Sequence, residues 1–414
     1  MTAPLSRFPL VQLRHLSAVP ITNGLGEAGD PANHSAWPRY IRTTDIATVR
    51  ALDHKKRVTL PPEIADGARV LRGDILMTSA GTVGKSYLHL TDEIACFAGY
   101  LSRLRVRSDR ALPEFVAYWT ESSHYTDQVQ SGAVKSTIEN FSAAKYRAMQ
   151  IPVPSLQEQR AIADYLDRET AQIDAFIAKN EEIIALLTER RAAEIELAVA
   201  PRQLPATWDS VQIRRLGPES QSGVSVNGFS VPAEGDEIGV LKTGAVSKGF
   251  FDPAENKRVV AEDLGRVAAP VRGGSLIVNR ANTPELVGSA GLVVESHPTL
   301  YLSDKLWQLT FESANAAYMH YWTKTDAYRS QLRGLSVGAS SSMQNLSYKD
   351  FLLVRISVPP MREQGEVVAR LNKAVGEINR AIDAARRGSD LARERRVALI
   401  GAAVTGKIDV GVKL

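Results

Sequence analysis

The chain holds 414 residues, 44% of them hydrophobic and 23% charged, which suits two to three folded domains and excludes wholesale disorder. A single cysteine, Cys96, excludes an internal disulfide framework. The lack of a leader-like or ~20-residue apolar run sets the expectation of a cytoplasmic chain with no membrane role. Side chains numbering 50 basic and 46 acidic give a net charge of +4, which permits an anionic partner without demanding one, and seven scattered histidines with no CxxC or HExxH spacing give no metal site.

In chain order the sequence repeats itself. Val11-Gln12-Leu13-Arg14-His15-Leu16 returns as Val211-Gln212-Ile213-Arg214-Arg215-Leu216, and Ile41-Arg42-Thr43 as Leu241-Lys242-Thr243, both 200 positions on. Arg72-Gly73 with Leu76-Met77 matches Arg272-Gly273 with Leu276-Ile277 at the same offset. Tyr118-Trp119-Thr120 answers Tyr321-Trp322-Thr323 at 203, and Ile151, Val153, Pro154, Glu158 and Gln159 answer Ile356, Val358, Pro359, Glu363 and Gln364 at 205. Each half begins with short apolar runs broken by Gly, Pro, Asn and Asp, a strand-and-turn pattern in which Ile75-Leu76-Met77 and Leu276-Ile277-Val278 stand out. An amphipathic helix is expected next, over 113–130 and 314–332, with its Tyr-Trp pair in the core. An extended, proline-containing segment then leads into a long helix.

The first long helix should start at Ser155, where Ser155-Leu156-Gln157-Glu158 forms a capping box, and stop at Pro201. Ile162, Leu166, Ile173, Phe176, Ile183, Leu187 and Leu197 follow coiled-coil steps within it, and Leu371, Val375, Ile378, Ile382 and Leu399 do so in a second helix from Met361 to about Ala403. Residues 156–200 carry 5 basic and 10 acidic side chains, whereas residues 361–403 carry 9 and 6. Opposite charge favours these helices pairing with each other, and a short connection to the second module favours an antiparallel arrangement. At ~1.5 Å per residue the first helix would span roughly 67 Å, about 20 base pairs of duplex at ~3.4 Å each.

The segments IPVPSLQEQRAIADYLD and ISVPPMREQGEVVARLN resemble the signature of type I restriction-modification DNA specificity (S) subunits. ERRVALIGAAVTGKIDV is similar to that family's terminal segment, LLTERRAAEIELAVA to its internal counterpart, and LRGDILMTSAGTVGKSYL to its target-recognition domains. The resemblance implies an α+β chain with an internal pseudo-twofold repeat: a target-recognition domain over 1–154, a central long helix over 155–200, a second recognition domain over 201–360, and a C-terminal long helix and tail over 361–414. The two helices would form an antiparallel coiled coil. It further implies a non-catalytic subunit that reads double-stranded DNA as two half-sites and docks DNA-methyltransferase subunits, with a motor-nuclease subunit in the full complex. No cofactor is expected on this chain, because S-adenosylmethionine belongs to the methyltransferase.

Polar and basic residues beside turns are the natural DNA contacts. In the first half these are Arg42, Thr43, Lys55, Lys56, Arg57, Ser79, Thr82, Lys85 and Lys135. In the second they are Lys242, Thr243, Lys248, Asn279, Arg280, Asn282, Thr283 and Arg333, with Arg280 and Asn282 chemically suited to guanine and adenine. Arg103, Arg105 and Arg107 alternate on one strand face, where solvation competes with contact. Two other readings stand beside this one. A two-headed coiled coil would also serve as a scaffold that binds proteins only. Ser79 to Ser86, SAGTVGKS, nearly spells a phosphate-binding P-loop and would make the chain a nucleotide hydrolase, but Tyr87-Leu88-His89-Leu90 alternates like a strand where a helix is required.

Overall fold

A computed structural model describes residues 6–32, 34–132, 140–335, 337–340 and 343–411, with 337–340 by backbone alone. The chain divides into two compact units, Met1–Glu181 with Arg386–Leu414, and Glu182–Ala385.

In the first unit, β1 (Leu10–Gln12) pairs antiparallel with a later strand, Gln150–Pro152. An inner sheet contains, in spatial order, β2 (Thr22–Asn23), Leu101–Arg105, Asp74–Thr78 and Ser86–Leu88. An outer sheet places Ala95–Phe97 between β3 (Arg39–Ile41), to which it is parallel, and Arg69–Val70. The intervening strands are numbered β4 (Arg69–Val70), β5 (Asp74–Thr78), β6 (Ser86–Leu88), β7 (Ala95–Phe97), β8 (Leu101–Arg105) and β9 (Gln150–Pro152). Alternation along β5 divides the core. Ile75 and Met77 face a cluster holding Phe115, Trp119, Tyr125 and Tyr146, whereas Leu76 faces one built on Ile41, Tyr87 and Phe97.

The second unit repeats the plan. Strand β10 (Asp209–Gln212) pairs with Arg355–Val358, and the inner sheet contains β11 (Pro218–Ser222), Leu306–Phe311, Leu276–Asn279 and Ala290–Leu292. The outer sheet again has a parallel pair, Gly239–Leu241 beside His297–Tyr301. We number these β12 (Gly239–Leu241), β13 (Asn256–Arg258), β14 (Pro270–Val271), β15 (Leu276–Asn279), β16 (Ala281–Asn282), β17 (Ala290–Leu292), β18 (His297–Tyr301) and β19 (Leu306–Phe311), followed by β20 (Val337–Ser340), β21 (Met343–Asn345) and β22 (Arg355–Val358).

The helix expected over 113–130 is two helices, α1 (Pro113–Thr120) and α2 (Ser123–Gly132). The one expected over 314–332 is likewise split into α4 (Ala316–Trp322) and α5 (Asp326–Leu335), α3 being the first long helix, Leu156–Val199. Hydroxyls make both breaks. Ser122 Oγ donates to Trp119 O, and Thr323 and Thr325 donate to His320 O and Trp322 O. Such back-bonding competes with helix continuation. Tyr118, Trp119, Tyr321 and Trp322 are buried, as expected of core aromatics.

Helix α3 opens on its capping box, with Glu158 N donating to Ser155 Oγ at 3.3 Å and Ser155 N to Glu158 Oε2 at 2.9 Å. The second long helix is α6 (Met361–Val404). Both pass from one unit into the other, in opposite chain directions. In the first unit Arg396 reaches Asp174 at 3.1 Å and Arg393 reaches Glu181 at 2.9 Å; in the second Arg191 donates to Asn379 Oδ1 at 2.7 Å. The two helices therefore pack antiparallel within each unit. Their apolar seam departs from the simple spacing: Ile162, Leu166, Ile173, Leu371, Val375, Ile378 and Ile382 are buried, but Phe176, Ile183 and Leu197 are exposed while Ile195 and Val199 take the buried places.

The Glu-Gln pair in the first turn of each long helix has a physical role. Gln159 Oε1 accepts Leu112 N at 2.8 Å, and its Nε2 donates to Pro154 O at 2.9 Å and Arg110 O at 3.1 Å. Gln364 does the same for Asn315 N at 2.8 Å and Pro359 O at 3.0 Å. Both glutamines are fully buried, so each carries the backbone needs of a turn that no water reaches.

Candidate nucleic-acid interface

The loop from Ser79 to Lys85 joins antiparallel strands β5 and β6. Thr78 organises it: its Oγ1 donates to Thr82 O at 2.7 Å and accepts Lys85 N at 3.0 Å. Gly81 and Gly84 have φ of 83° and 92°, conformations that glycine adopts freely. A strand follows the loop where a P-loop requires a helix, so the nucleotide-hydrolase reading is corrected: this is a hairpin connection that leaves Thr82 and Lys85 exposed. Ser79 does not share that exposure. It is 3% exposed, with its Oγ 2.6 Å from Ser102 Oγ.

A second cluster surrounds the turn at 54–56. Arg42 is committed internally, donating from Nη2 to the buried Asp45 at 3.0 Å and to Lys56 O at 2.8 Å. It thereby fixes the turn that presents Lys55 and Lys56 to solvent, Lys56 with an ion pair to Asp53 at 3.1 Å. Arg57 is spent on Glu93 at 3.1 Å. Thr43 is half-buried, and its Oγ1 finds no partner among the described residues. Lys135 lies outside the described residues. Arg105 closes on the buried Asp74 with two 2.8 Å contacts and Arg103 donates to Arg69 O, so the arginines of β8 are structural, whereas Arg107, beyond the strand, is exposed and pairs with Asp109.

A third anchor ties the first unit's outer turn to α3. Arg50 stacks 4.7 Å over the Tyr118 ring and contacts Asp167 at 2.8 Å, and Tyr118 donates to the same carboxylate at 2.5 Å. Burial, with Asp167 adding to it, pushes the Tyr118 hydroxyl up to about 12, so it stays a donor.

In the second unit the candidate residues draw together. Asn282 Nδ2 lies 3.5 Å from Ser247 Oγ, which donates to Thr243 O, so the turn with Lys242, Thr243 and Lys248 adjoins the loop from Asn279 to Thr283. Lys248 is exposed, near Asp252 at 3.9 Å. Asn279 is fully buried and, like Ser79, is withdrawn from the surface; its Oδ1 accepts Ala281 N at 3.2 Å and its Nδ2 has no partner among the described residues. Arg280 is half-buried, its guanidinium 5.7 Å from the Trp307 ring centre. Thr283 is half-buried, and Arg333 is exposed on α5.

Three residues not singled out from the sequence shape this loop. Arg329 donates to the carbonyls of Val287 and Glu285, Tyr328 donates to Gly288 O at 2.8 Å, and Trp307 lies beneath Arg280. Their counterparts in the repeat would have pointed to them only once the strand register was known.

That register corrects the sequence correspondence by one residue. Ile75 pairs with Leu104 in the first unit and Leu276 with Leu309 in the second. The match therefore runs Gly73 to Gly274, Ile75 to Leu276 and Leu76 to Ile277, an offset of 201; both glycines have positive φ, and Gly73 N donates to His89 O as Gly274 N does to Val293 O. The same bonds recur at this spacing: Phe141 N donates to Ser79 O and Leu346 N to Arg280 O, both at 2.8 Å.

Among the described residues no cluster of His, Cys, Asp or Glu is arranged to hold a metal ion, and no helix is long and apolar enough to cross a membrane. Each unit repeats the same mixed α/β plan and includes part of both long helices. Residues 56–185 match the type I restriction modification DNA specificity domain. The chain is 28% identical over 306 residues to the type I restriction enzyme EcoKI specificity subunit of Escherichia coli (strain K12), covering 71% of this chain and 65% of that relative. It is 23% identical, with the same coverage, to the StySPI specificity subunit of Salmonella potsdam. The chain thus spans about 65% of the length of these curated relatives. Its fold is shared with a chain from a solved structure described as the basis of complex assembly and conformational transition of the type I R-M system, with TM-score 0.70, 17% identity, and coverage of 99% of this chain and 100% of that one. It also matches the HsdS subunit from Thermoanaerobacter tengcongensis, with TM-score 0.54, 17% identity, and 97% coverage of each. The chain is thus similar to type I restriction-modification specificity (S) subunits in a family domain over residues 56–185, in sequence over 306 residues and in fold along its length.

Proposed function

We propose that this chain is the DNA-reading, non-catalytic subunit of a type I restriction-modification complex. Residues 1–154 and 201–360 each read one half of a split duplex target, and the helical segments 155–200 and 361–414 set the gap and dock DNA-methyltransferase subunits. A motor-nuclease subunit joins the full complex, S-adenosylmethionine is held by the methyltransferase, and the assembly works in the cytoplasm. In the first domain the contacts come from Thr43, Lys55, Lys56, Thr82, Lys85 and Lys135, with Arg42 and Arg57 holding their turns. In the second they come from Lys242, Thr243, Lys248, Arg280, Asn282, Thr283 and Arg333.

The observation that carries this reading is one scaffold used twice with different loops. The buried glutamine bonds recur in both units, whereas the hairpin loop over 79–85, with its Gly84-Lys85, is replaced in the second by a longer loop over 280–289 that ends in Gly288-Ser289. Conserved support with divergent tips is what two half-sites of different sequence require. Exposed apolar side chains on the long helices, Phe176 and Leu391 in the first unit and Leu186 and Leu197 in the second, support docking of partner subunits there.

The test is adenine-methylation mapping by long-read sequencing, with the chain co-expressed with its genomic-neighbour methyltransferase and then omitted. A split motif that depends on this chain is expected, and replacing residues 1–154 by those of a relative should change one half of it only. A soluble, assembled complex without a new motif would overturn DNA reading in favour of a protein-binding scaffold.

A further inference from the structure

The corrected register places Ser79 and Arg280 at the same position of the two heads, one residue beyond the inner strand. Their backbones are held alike: Ser79 N donates to Tyr100 O at 2.7 Å and Arg280 N to Lys305 O at 3.0 Å. The residues beneath them also correspond, because Ser102 pairs with Met77 as Trp307 pairs with Val278. In the first head this position is closed. Ser79 Oγ and Ser102 Oγ are 2.6 Å apart, and Ser102 donates to Asn23 Oδ1 at 2.8 Å, all within the fold. In the second head both members change together, into an arginine and a buried tryptophan whose ring lies 5.7 Å from the guanidinium carbon.

Arg280 is half-buried, and among the described residues it has no ion pair or side-chain hydrogen bond. A partly desolvated guanidinium is costly without an acceptor, and an aromatic face only partly offsets that cost. Stacking on Trp307 restricts the planar fork to a narrow range of orientations, so less freedom is lost when it meets a planar pair of acceptors. Guanine offers such a pair, O6 and N7, in the major groove.

We propose that the Ser79–Ser102 and Arg280–Trp307 pairs form a specificity-determining switch between the heads. Arg280 reads a guanine in the second half-site, Trp307 positions it, and the first head makes no base contact from this position. This rests on the reading of the chain as a DNA reader, and it assigns one base of one half-site to one side chain.

The experiment is methylation mapping of the co-expressed complex carrying Arg280→Ala, Arg280→Lys or Trp307→Phe. Arg280 packs on the core without forming it, so Arg280→Ala should assemble normally. Wild type should require guanine at one position of the second half. Arg280→Ala should lower that preference roughly five- to a hundredfold, the range of a lost bidentate contact, and leave the first half untouched. Arg280→Lys should weaken it partly, and Trp307→Phe, which keeps a ring face, should retain it. An unchanged second half in Arg280→Ala overturns the proposal. So does a uniform fall in methylation with the motif intact, the mark of a phosphate contact. If wild type itself produces no split motif, the DNA-reading function fails first and the switch falls with it.

Discussion

Replacing Gln159 by alanine removes three hydrogen bonds at once. The substitution strands Leu112 N, Pro154 O and Arg110 O in a region where the side chain it replaces is fully buried. An unsatisfied buried backbone group costs about 1–3 kcal/mol, and the three losses overlap in one small cavity, so a destabilisation of roughly 3–5 kcal/mol is expected. The damage should be local, because the glutamine fixes the approach to α1 and the start of α3 and touches nothing in the second unit. Hydrogen exchange read by mass spectrometry checks this: peptides over 106–120 and 152–160 should lose protection, while those over 312–325 keep theirs. Gln364→Ala should give the mirror result. A loss below ~1 kcal/mol, or equal loss of protection in both units, would refute the assignment of these glutamines as buried backbone clamps.

Two further outcomes follow from burial. His320 Nε2 donates to Gly249 O at 2.9 Å, and burial, with Lys324 adding to it, lowers its pKa to about 4, whereas an unfolded chain takes up the proton near ~6.5. Its contribution is complete above about pH 6.5 and is lost as pH falls towards 4. Thermal melts of His320→Asn should therefore lose less stability than wild type between pH 7 and pH 5, and an identical slope would count against a neutral buried imidazole. Cys96 is fully buried and its thiol is pushed up to about 12 by burial, so it should resist iodoacetamide at pH 8 until the first unit unfolds; rapid labelling of native protein would contradict this.

Much of the architecture was legible because it is written twice. The capping box at Ser155, the proline segments before the long helices and the buried Tyr-Trp pairs all lie where local chemistry places them. The misreadings have specific causes. Leu76-Met77 looks more like Leu276-Ile277 than like its true partners, and a shift of one residue in the offset exchanges the two faces of the strand. Helical spacing marks Leu197 as readily as Ile195, and only the packed neighbours decide which is buried. Polarity beside a turn marks Ser79 and Asn279 as well as Lys85, yet the first two sit at strand ends below the surface. What surface chemistry cannot convey is depth, and depth separates a contact residue from a support.

The first unit is assembled from two stretches of chain that are far apart in synthesis. Ile400, Ala403 and Val404 share its core with Ile162 and Leu166, and Arg7 N donates to Thr405 O at 2.9 Å. The second unit is one continuous stretch between them. At ~5–20 residues per second, the ribosome takes roughly 10–40 s to pass from the end of the first stretch to the start of the second. Throughout that interval the earlier head waits with an apolar face open, while the later head can already close. Chain order and folding order are therefore inverted: the head made first is finished last, and its completion certifies that the whole stretch between has been made.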